Sequence, residues 1–245
     1  MMNKDIAICV RKADFSETSQ VVTLFTRNAG KLAAVAKGAK RKNSSFDGAI
    51  EIFSYGEIMY SQSANANLAT LAEFQQQPVF QFLSTRLITL NCGLFAAEML
   101  NTFTEEHDPH PELFDSYIQF LKDVQSTQDA GACLSLLILF QLTLLNEVGT
   151  KPVLTRCANC KIPFNQQWPH FYFSSLANGL VCPDCEFSFA DKLRISKETA
   201  MSLADLKRIG NADERTINEI EKVLITHFTE LTHRRPKMAK YFLRH

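Results

Sequence analysis

The segments D-I-A-I-C-V-R-K at residues 5–12 and Q-V-V-T-L-F-T at residues 20–26 decide the fold class of this chain. Both are rich in β-branched residues and partly alternate apolar with polar side chains, a pattern typical of strands with one buried face. Asn28-Ala29-Gly30 supplies a turn, after which a third strand is predicted at 31–36. Two more strands are predicted, at 49–61 and 68–74, and Gly56 is a candidate bulge in the first of them.

Five strands without a long helix among them predict a small, strongly bent barrel such as an OB-fold over residues 1–79. An SH3-like barrel is the closest alternative, and a helix is the alternative to the strand at 68–74. The polar run at 61–67 separates the last two strands.

Beyond Pro78 the apolar residues recur with helical period. Residues 134–145 form the longest apolar stretch, but they include polar side chains and are too few to cross a bilayer, so we expect a buried helix and no membrane contact. Gly149 fits the C-terminal cap of that helix. Helices are predicted at 80–106, 112–124, 130–148, 197–209 and 213–231. The predicted class is α+β: an OB-fold barrel followed by an all-α domain over residues 80–245.

Two Cys-x-x-Cys pairs, C-A-N-C and C-P-D-C, interrupt this helical region. Each such turn directs two sulfurs at one point, and two turns complete the tetrahedron that Zn²⁺ prefers. Four thiolates leave no open coordination position, so the pattern predicts a structural zinc finger at about 153–190 rather than a zinc enzyme. The predicted ligands are Cys157, Cys160, Cys182 and Cys185.

Redox or disulfide use of these cysteines is the alternative. A thioredoxin-like pair needs a strand–helix context, which neither pair has, and disulfides need an oxidising compartment. The N-terminus resembles no signal peptide, so a reducing cytoplasm is expected. The isolated residues Cys9, Cys92 and Cys133 lie among apolar neighbours and are predicted to be buried core thiols.

The 26 basic and 26 acidic residues balance, but they are segregated along the chain. No acid occurs from residue 18 to 46 or from 231 to the end, and both stretches are basic. Such a positive face can bind a polyanion while the protein stays soluble. The alternative is a solvated loop that serves only solubility. The predicted phosphate contacts in the first stretch are Lys31, Lys37, Lys40, Arg41 and Lys42.

Signals for catalysis are weak, since the histidines are scattered and no phosphate loop or nucleophile motif is present. The sequence therefore indicates a binding protein. Eight aromatic residues near the fourth strand and inside the finger are candidates for base stacking, but we expect them to serve as core. They are Phe46, Phe53, Tyr55, Tyr60, Trp168, Phe171, Tyr172 and Phe173.

Several motifs together resemble the RecO family of bacterial recombination mediators. The string S-E-T-S-Q-V-V-T-L-F-T-R-N-A-G-K-L-A-A-V-A-K-G-A-K-R at 16–41 resembles the opening of that family. L-L-N-E-V-G-T-K-P, C-A-N-C, G-L-V-C-P-D-C and the final R-R-P-K-M-A-K-Y-F follow in the family's order. The resemblance covers essentially the whole chain.

This resemblance implies a protein that binds single- and double-stranded DNA and anneals complementary strands without hydrolysing nucleotides. It further implies work with RecR, contact with the C-terminal tail of the single-stranded DNA-binding protein, and help in loading RecA, in a nucleoid-associated cytoplasmic location. Lys37, Lys40 and Arg41 of A-K-G-A-K-R would contact DNA, and the four paired cysteines would bind zinc. Two rivals stay open: an adaptor whose basic loop docks on acidic tails, and a nuclease with an unrecognised carboxylate cluster.

Overall fold

A computed structural model of the chain describes residues 2–41, 44–63 and 68–243. The chain forms two compact units, Met1–Gln125 and Ser126–His245. The predicted domain boundary between residues 79 and 80 is a statement that residues 1–79 fold independently. It stays a prediction.

The first unit begins with a closed five-stranded barrel in the order β1-β2-β3-β5-β4. All strand pairs are antiparallel except β3–β5, and β1 pairs with both β2 and β4. This arrangement confirms the predicted OB-like barrel, with a strand and not a helix at the fifth position. The strands are β1 (Met2–Asp14), β2 (Gln20–Thr26), β3 (Gly30–Ala36), β4 (Tyr55–Ser61) and β5 (Ala69–Gln77).

Alternating burial along the strands explains why the barrel closes. Every second residue of β3 and of β4 is buried, so one face of each strand lines the interior. The interior contains Leu24, Leu32, Ile58 and Phe74, each at most 1% exposed. Burying such side chains contributes about 1.5–3 kcal/mol apiece, and this is the main stabilisation of the unit.

The predicted fourth strand is too long at its N-terminal end. It begins at Tyr55 because Phe53 adopts a left-handed conformation with φ 73°, which a continuous strand cannot contain. Hydrogen bonds with the Cys9 backbone hold this turn, from Phe53 N to Cys9 O and from Cys9 N to Ser54 O, both 2.8 Å.

The bulge predicted at Gly56 is also wrong. Pairing is regular there, with Ala7 on one side and Gln76 on the other, and the register shifts between Met59 and Tyr60 instead. Gly56 has a different role: a Cβ atom at this position would lie 1.9 Å from the Gln75 carbonyl oxygen. Only a residue without a side chain lets β4 and β5 approach this closely.

Gly56→Ala is therefore expected to lower the free energy of unfolding by at least about 3 kcal/mol, because backbone must move to admit the methyl group. Gly210→Ala is the matched control, since a Cβ there meets nothing within 4 Å, and it should change stability by less than about 0.5 kcal/mol. Urea unfolding of both variants checks the prediction. Equal stability of the two would contradict the close β4–β5 approach.

Two helices follow the barrel, α1 (Leu87–Phe103) and α2 (Pro111–Ser126). The helix predicted at 80–106 starts later because a separate 3₁₀ turn, Leu83–Thr85, ends at extended Arg86. Helix α1 packs against β1, and the Phe114 ring of α2 lies 5.9 Å from the Phe25 ring.

The second unit is built on α3 (Ala130–Glu147), α4 (Lys197–Ala204) and α5 (Glu214–Thr232). By length and composition alone α3 is apolar enough to cross a membrane, but it packs against α5. This confirms the predicted buried helix. Gly149, with φ 75°, follows its end as predicted for a cap.

The helix predicted at 197–209 is divided in the structure. Asp205 is extended and its side chain accepts a hydrogen bond from Lys207 N, which ends α4 and starts a 3₁₀ turn at Leu206–Asn211. Three other predicted ends differ from the structure by three residues, since β1 begins at Met2, β5 ends at Gln77 and α1 ends at Phe103. The remaining ends agree to within about two residues, the usual uncertainty of helix boundaries.

Three short strands form a small sheet in the order β7-β6-β8, within the second unit. Their bounds are β6 (Phe171–Ser174), β7 (Gly179–Val181) and β8 (Leu193–Ile195). Strands β6 and β7 lie between the two cysteine pairs in the sequence, and β8 follows the second pair. The sheet therefore positions the finger.

Candidate metal centre and nucleic-acid interface

Two tight turns present the four paired cysteines. In the first, Lys161 N donates to Cys157 O at 3.1 Å, and Lys161 itself adopts φ 66°. In the second, Cys182 follows β7 and its carbonyl accepts from Cys185 N at 3.1 Å. Ala158 N donates to Leu180 O at 2.7 Å, which fixes the first turn to β7 and therefore beside the second.

The four sulfur atoms all lie within 4.8 Å of one another. The Sγ atoms of Cys160 and Cys182 are 3.6 Å apart, far longer than the disulfide bond of about 2.05 Å. Bonds of about 2.3 Å to a central tetrahedral ion would separate the sulfurs by about 3.8 Å. All seven cysteines lie among the described residues, and none of them forms a disulfide bond. The four paired cysteines therefore form a cluster that can hold one metal ion.

The environment of the sulfurs favours a thiolate at Cys157 and opposes one at Cys182. Burial opposes ionisation of Cys157, but backbone N–H donors, with Cys182 N at 3.4 Å among them, outweigh it and lower its pKa to about 7. Burial and the neighbouring sulfurs raise the pKa of Cys182 to about 12. Four crowded thiols cannot all lose protons without a cation among them. Asn159 Nδ2 also donates to Cys185 Sγ at 3.3 Å.

Aromatic side chains cover the cluster. Tyr172 packs with three of the cysteines, and Trp168 and Phe189 lie against the same group. Phe171 and Phe173 are buried as well. The expectation that the finger aromatics serve as core is confirmed for the three residues of β6.

The barrel aromatics behave in the same way, since Phe46, Phe53 and Tyr60 are buried. Tyr55 is half-buried against Phe80. The predicted core thiols Cys9, Cys92 and Cys133 are likewise fully buried, and burial raises the pKa of Cys9 to about 12.

A cationic loop, residues 37–41, follows β3. Lys37 and Arg41 are exposed, and buried Ala39 anchors the loop in the barrel interior. Gly38 adopts φ 74°, and the Arg41 amide donates to its carbonyl at 3.0 Å. The structure therefore displays two of the predicted cations on one hydrogen-bonded turn.

The cationic loop is hydrogen-bonded to the loop between β1 and β2. Gly38 N donates to Ser19 Oγ at 3.3 Å, and Lys40 N donates to Thr18 O at 3.1 Å. Lys40 Nζ lies 2.6 Å from Asp14 Oδ1 at the end of β1. The hydrogen bond from Lys40 lowers the pKa of that carboxyl group. Asp14 thus partly neutralises a cation that lies in an acid-free stretch of the sequence.

Lys31 is placed differently from the other predicted cations. Its Nζ donates to Asn101 O at 2.8 Å and also to Thr104 O, so it caps the C-terminal end of α1. A cation there stabilises the helix dipole. Half-burial lowers its pKa. Because its amino group is engaged inside the unit, Lys31 differs from the cations that are displayed to solvent. The predicted contact Lys42 lies outside the described residues.

Phe15 is a residue that the sequence reasoning missed. It lies in the loop between β1 and β2 and is 68% exposed. Among the described residues of the barrel it is the one exposed aromatic side chain. The sequence did indicate its exposure, because Phe15 directly follows a predicted strand and precedes the polar residues S-E-T-S.

Comparison with known proteins identifies the family. A family model described as "Recombination protein O N terminal" matches residues 1–77, and "Recombination protein O C terminal" matches residues 84–239. The DNA repair protein RecO of Bacillus pumilus is 31% identical over 94% of this chain and 89% of its own length. The RecO proteins of Bacillus subtilis (29%, 94% and 89%) and Rhodopirellula baltica (30%, 82% and 73%) are also similar.

Proposed function

The chain belongs to the RecO family of DNA repair proteins, and from that premise we propose that it acts in DNA repair and recombination as a non-enzymatic mediator. It binds single- and double-stranded DNA through the cationic loop and anneals complementary strands. The observation that carries this proposal is the display of Lys37 and Arg41 on a turn fixed to a closed OB-like barrel.

The proposed mechanism is electrostatic. Two strands repel through their phosphates, and cations that neutralise those phosphates release condensed counterions and let both strands approach. Contacts to the backbone leave the base edges free to pair. No nucleotide is consumed because the free energy of duplex formation is itself favourable.

The proposed partners follow from family membership. RecR and the C-terminal tail of the single-stranded DNA-binding protein would bring the mediator to coated gaps, where it helps to load RecA in the cytoplasm, beside the nucleoid. The acidic C-terminal tail is a polyanion, as DNA is, so one positively charged surface can bind both.

The proposed metal is zinc, held by Cys157, Cys160, Cys182 and Cys185. Thiolates at tetrahedral spacing suit Zn²⁺, and with four protein ligands no position is left for a water or substrate. Its contribution is to stabilise the fold of the finger. No step of annealing requires it.

The location of two strongly perturbed titratable groups of the second unit supports a non-enzymatic role. Burial raises the pKa of Glu221 to about 7 and lowers that of His227 to about 4. Both residues face the interior of the second unit and are at most 1% exposed, where a polynucleotide cannot reach them. Glu221 instead accepts a hydrogen bond from Gln141 at 2.9 Å, which joins α5 to α3.

One observation favours the adaptor as a second candidate: Lys40 already binds a carboxylate, that of Asp14. An adaptor would use the same cation for acidic tails alone. Anisotropy with a labelled oligonucleotide and no partner protein separates the two. Salt-sensitive binding and annealing without nucleotide support the mediator, and absence of binding leaves the adaptor.

Asp14→Asn is expected to tighten binding to single-stranded DNA about twofold at 0.1 M salt, because Lys40 no longer has to leave the Asp14 carboxylate to contact a phosphate, and an exposed ion pair of this kind contributes about 0–1 kcal/mol. The slope of log affinity against log salt should change by less than about 0.3, because the number of phosphate contacts stays the same. Glu57→Gln is the matched control, since it removes the same charge and frees Lys4, its partner at 2.6 Å, near the opposite end of β1. Equal gains in both variants would mean that net charge alone, and not the cationic loop, determines affinity.

A further inference from the structure

The loop between β1 and β2 holds Phe15 in a fixed position. Phe15 N and Ser16 N both donate to Ser19 O, at 3.0 and 3.2 Å, and Ser19 N donates to Ser16 Oγ at 3.1 Å. These bonds close the turn on itself. The backbone that carries the ring is therefore ordered before any ligand arrives, which reduces the entropy lost on binding.

Exposure of one apolar side chain is common on protein surfaces and needs no ligand to explain it. The neighbours of Phe15 distinguish it. The preceding residue, Asp14, holds Lys40 Nζ at 2.6 Å, and Ser19 in the same loop accepts from Gly38 N. The loop that carries the exposed ring is thus hydrogen-bonded to the loop that carries the cations.

This pairing matches the chemistry of a single-stranded polynucleotide. Each of its nucleotides offers a phosphate, which cations bind, and an unpaired base, whose face stacks on an aromatic ring. A duplex offers the phosphates but keeps its bases stacked inside. The other barrel aromatics cannot act in this way, because Phe46, Phe53 and Tyr60 are buried.

We propose that Phe15 stacks on an unpaired base of a strand whose backbone lies along the cationic loop, and that this contact makes the protein prefer single strands to duplexes. The inference rests on the proposed function, since the cationic loop must first bind the backbone. Phe15 is then the residue that distinguishes single strands from duplexes, whereas the cations bind the phosphates of both.

Three variants test the proposal. Phe15→Leu keeps an apolar side chain but removes the aromatic face, and Phe15→Trp keeps a face. Phe187→Leu is the matched control, because Phe187 is 87% exposed beside Lys192 but belongs to the second unit. Affinities are measured by anisotropy for a single strand, for the same strand with abasic sites, and for a duplex. Thermal unfolding confirms that each variant is folded.

Phe15→Leu should weaken binding to the base-bearing strand by at least about fivefold, which corresponds to the smallest free energy that one stacked base usually contributes. Binding to the abasic strand and to the duplex should change by less than about twofold, and Phe15→Trp and Phe187→Leu should bind as the unaltered protein does. Unchanged affinity of Phe15→Leu for the base-bearing strand overturns the inference, as does an equal loss on all three ligands. If the unaltered protein binds none of them, the proposed function fails too.

Discussion

Replacing Lys37, Lys40 and Arg41 together with glutamine is expected to weaken binding to single-stranded DNA about 100-fold at 0.1 M salt. Each phosphate contact on a single strand contributes about 0.7 to the slope of log affinity against log salt, which is about fivefold in affinity at this concentration. Three contacts multiply to about two orders of magnitude. Annealing should slow in parallel, because the same cations screen the two strands from each other.

The control for this variant removes three exposed lysines from the second unit, as Lys151→Gln, Lys197→Gln and Lys222→Gln. It changes the net charge equally, so its affinity should fall by less than about threefold. Both proteins should retain the metal and unfold at the same temperature as the parent. A cationic-loop variant that binds like its control would remove this loop from the interface.

Replacing Cys157 with serine is expected to abolish metal binding and to lower the unfolding temperature by more than about 10 °C. Structural zinc contributes about 10–16 kcal/mol in isolated fingers, as much as the whole stability of an ordinary domain. Even a loss of about 5 kcal/mol corresponds to a shift of that size in a chain of this length. Elemental analysis and calorimetry on the same samples measure both effects.

Cys133→Ala provides the comparison, since Cys133 is fully buried in α3 but lies outside the four-sulfur cluster. It should cost about 1–2 kcal/mol from lost packing while leaving one zinc per chain. The account of the finger would be contradicted by parent protein that contains no metal after purification, or by Cys157→Ser that retains it.

The strands and the metal cluster were predictable because their signals are local. Gln20–Thr26 has the same ends in the sequence prediction and in the structure, because alternation and turn residues define a strand within a few positions. The cysteine pairs are predictable for a similar reason: each Cys-x-x-Cys turn sets the direction of its own sulfurs.

Features that depend on tertiary contacts were not predictable. The sequence cannot distinguish Lys31 from Lys37, since only the packing of α1 beside the end of β3 places Lys31 on helix carbonyls. Asp14 approaches Lys40 across 26 positions because two loops are bonded together. Residues 49–54 have a strand-like composition, but the left-handed conformation of Phe53 delays the start of β4 to Tyr55.

The most direct measurement is the salt dependence of affinity for single-stranded DNA, compared between the parent protein and the variant that lacks Lys37, Lys40 and Arg41. If this loop binds phosphates, the slope of log affinity against log salt should be shallower in the variant by about 2. Parallel lines for the two proteins would show that these three side chains make no phosphate contact.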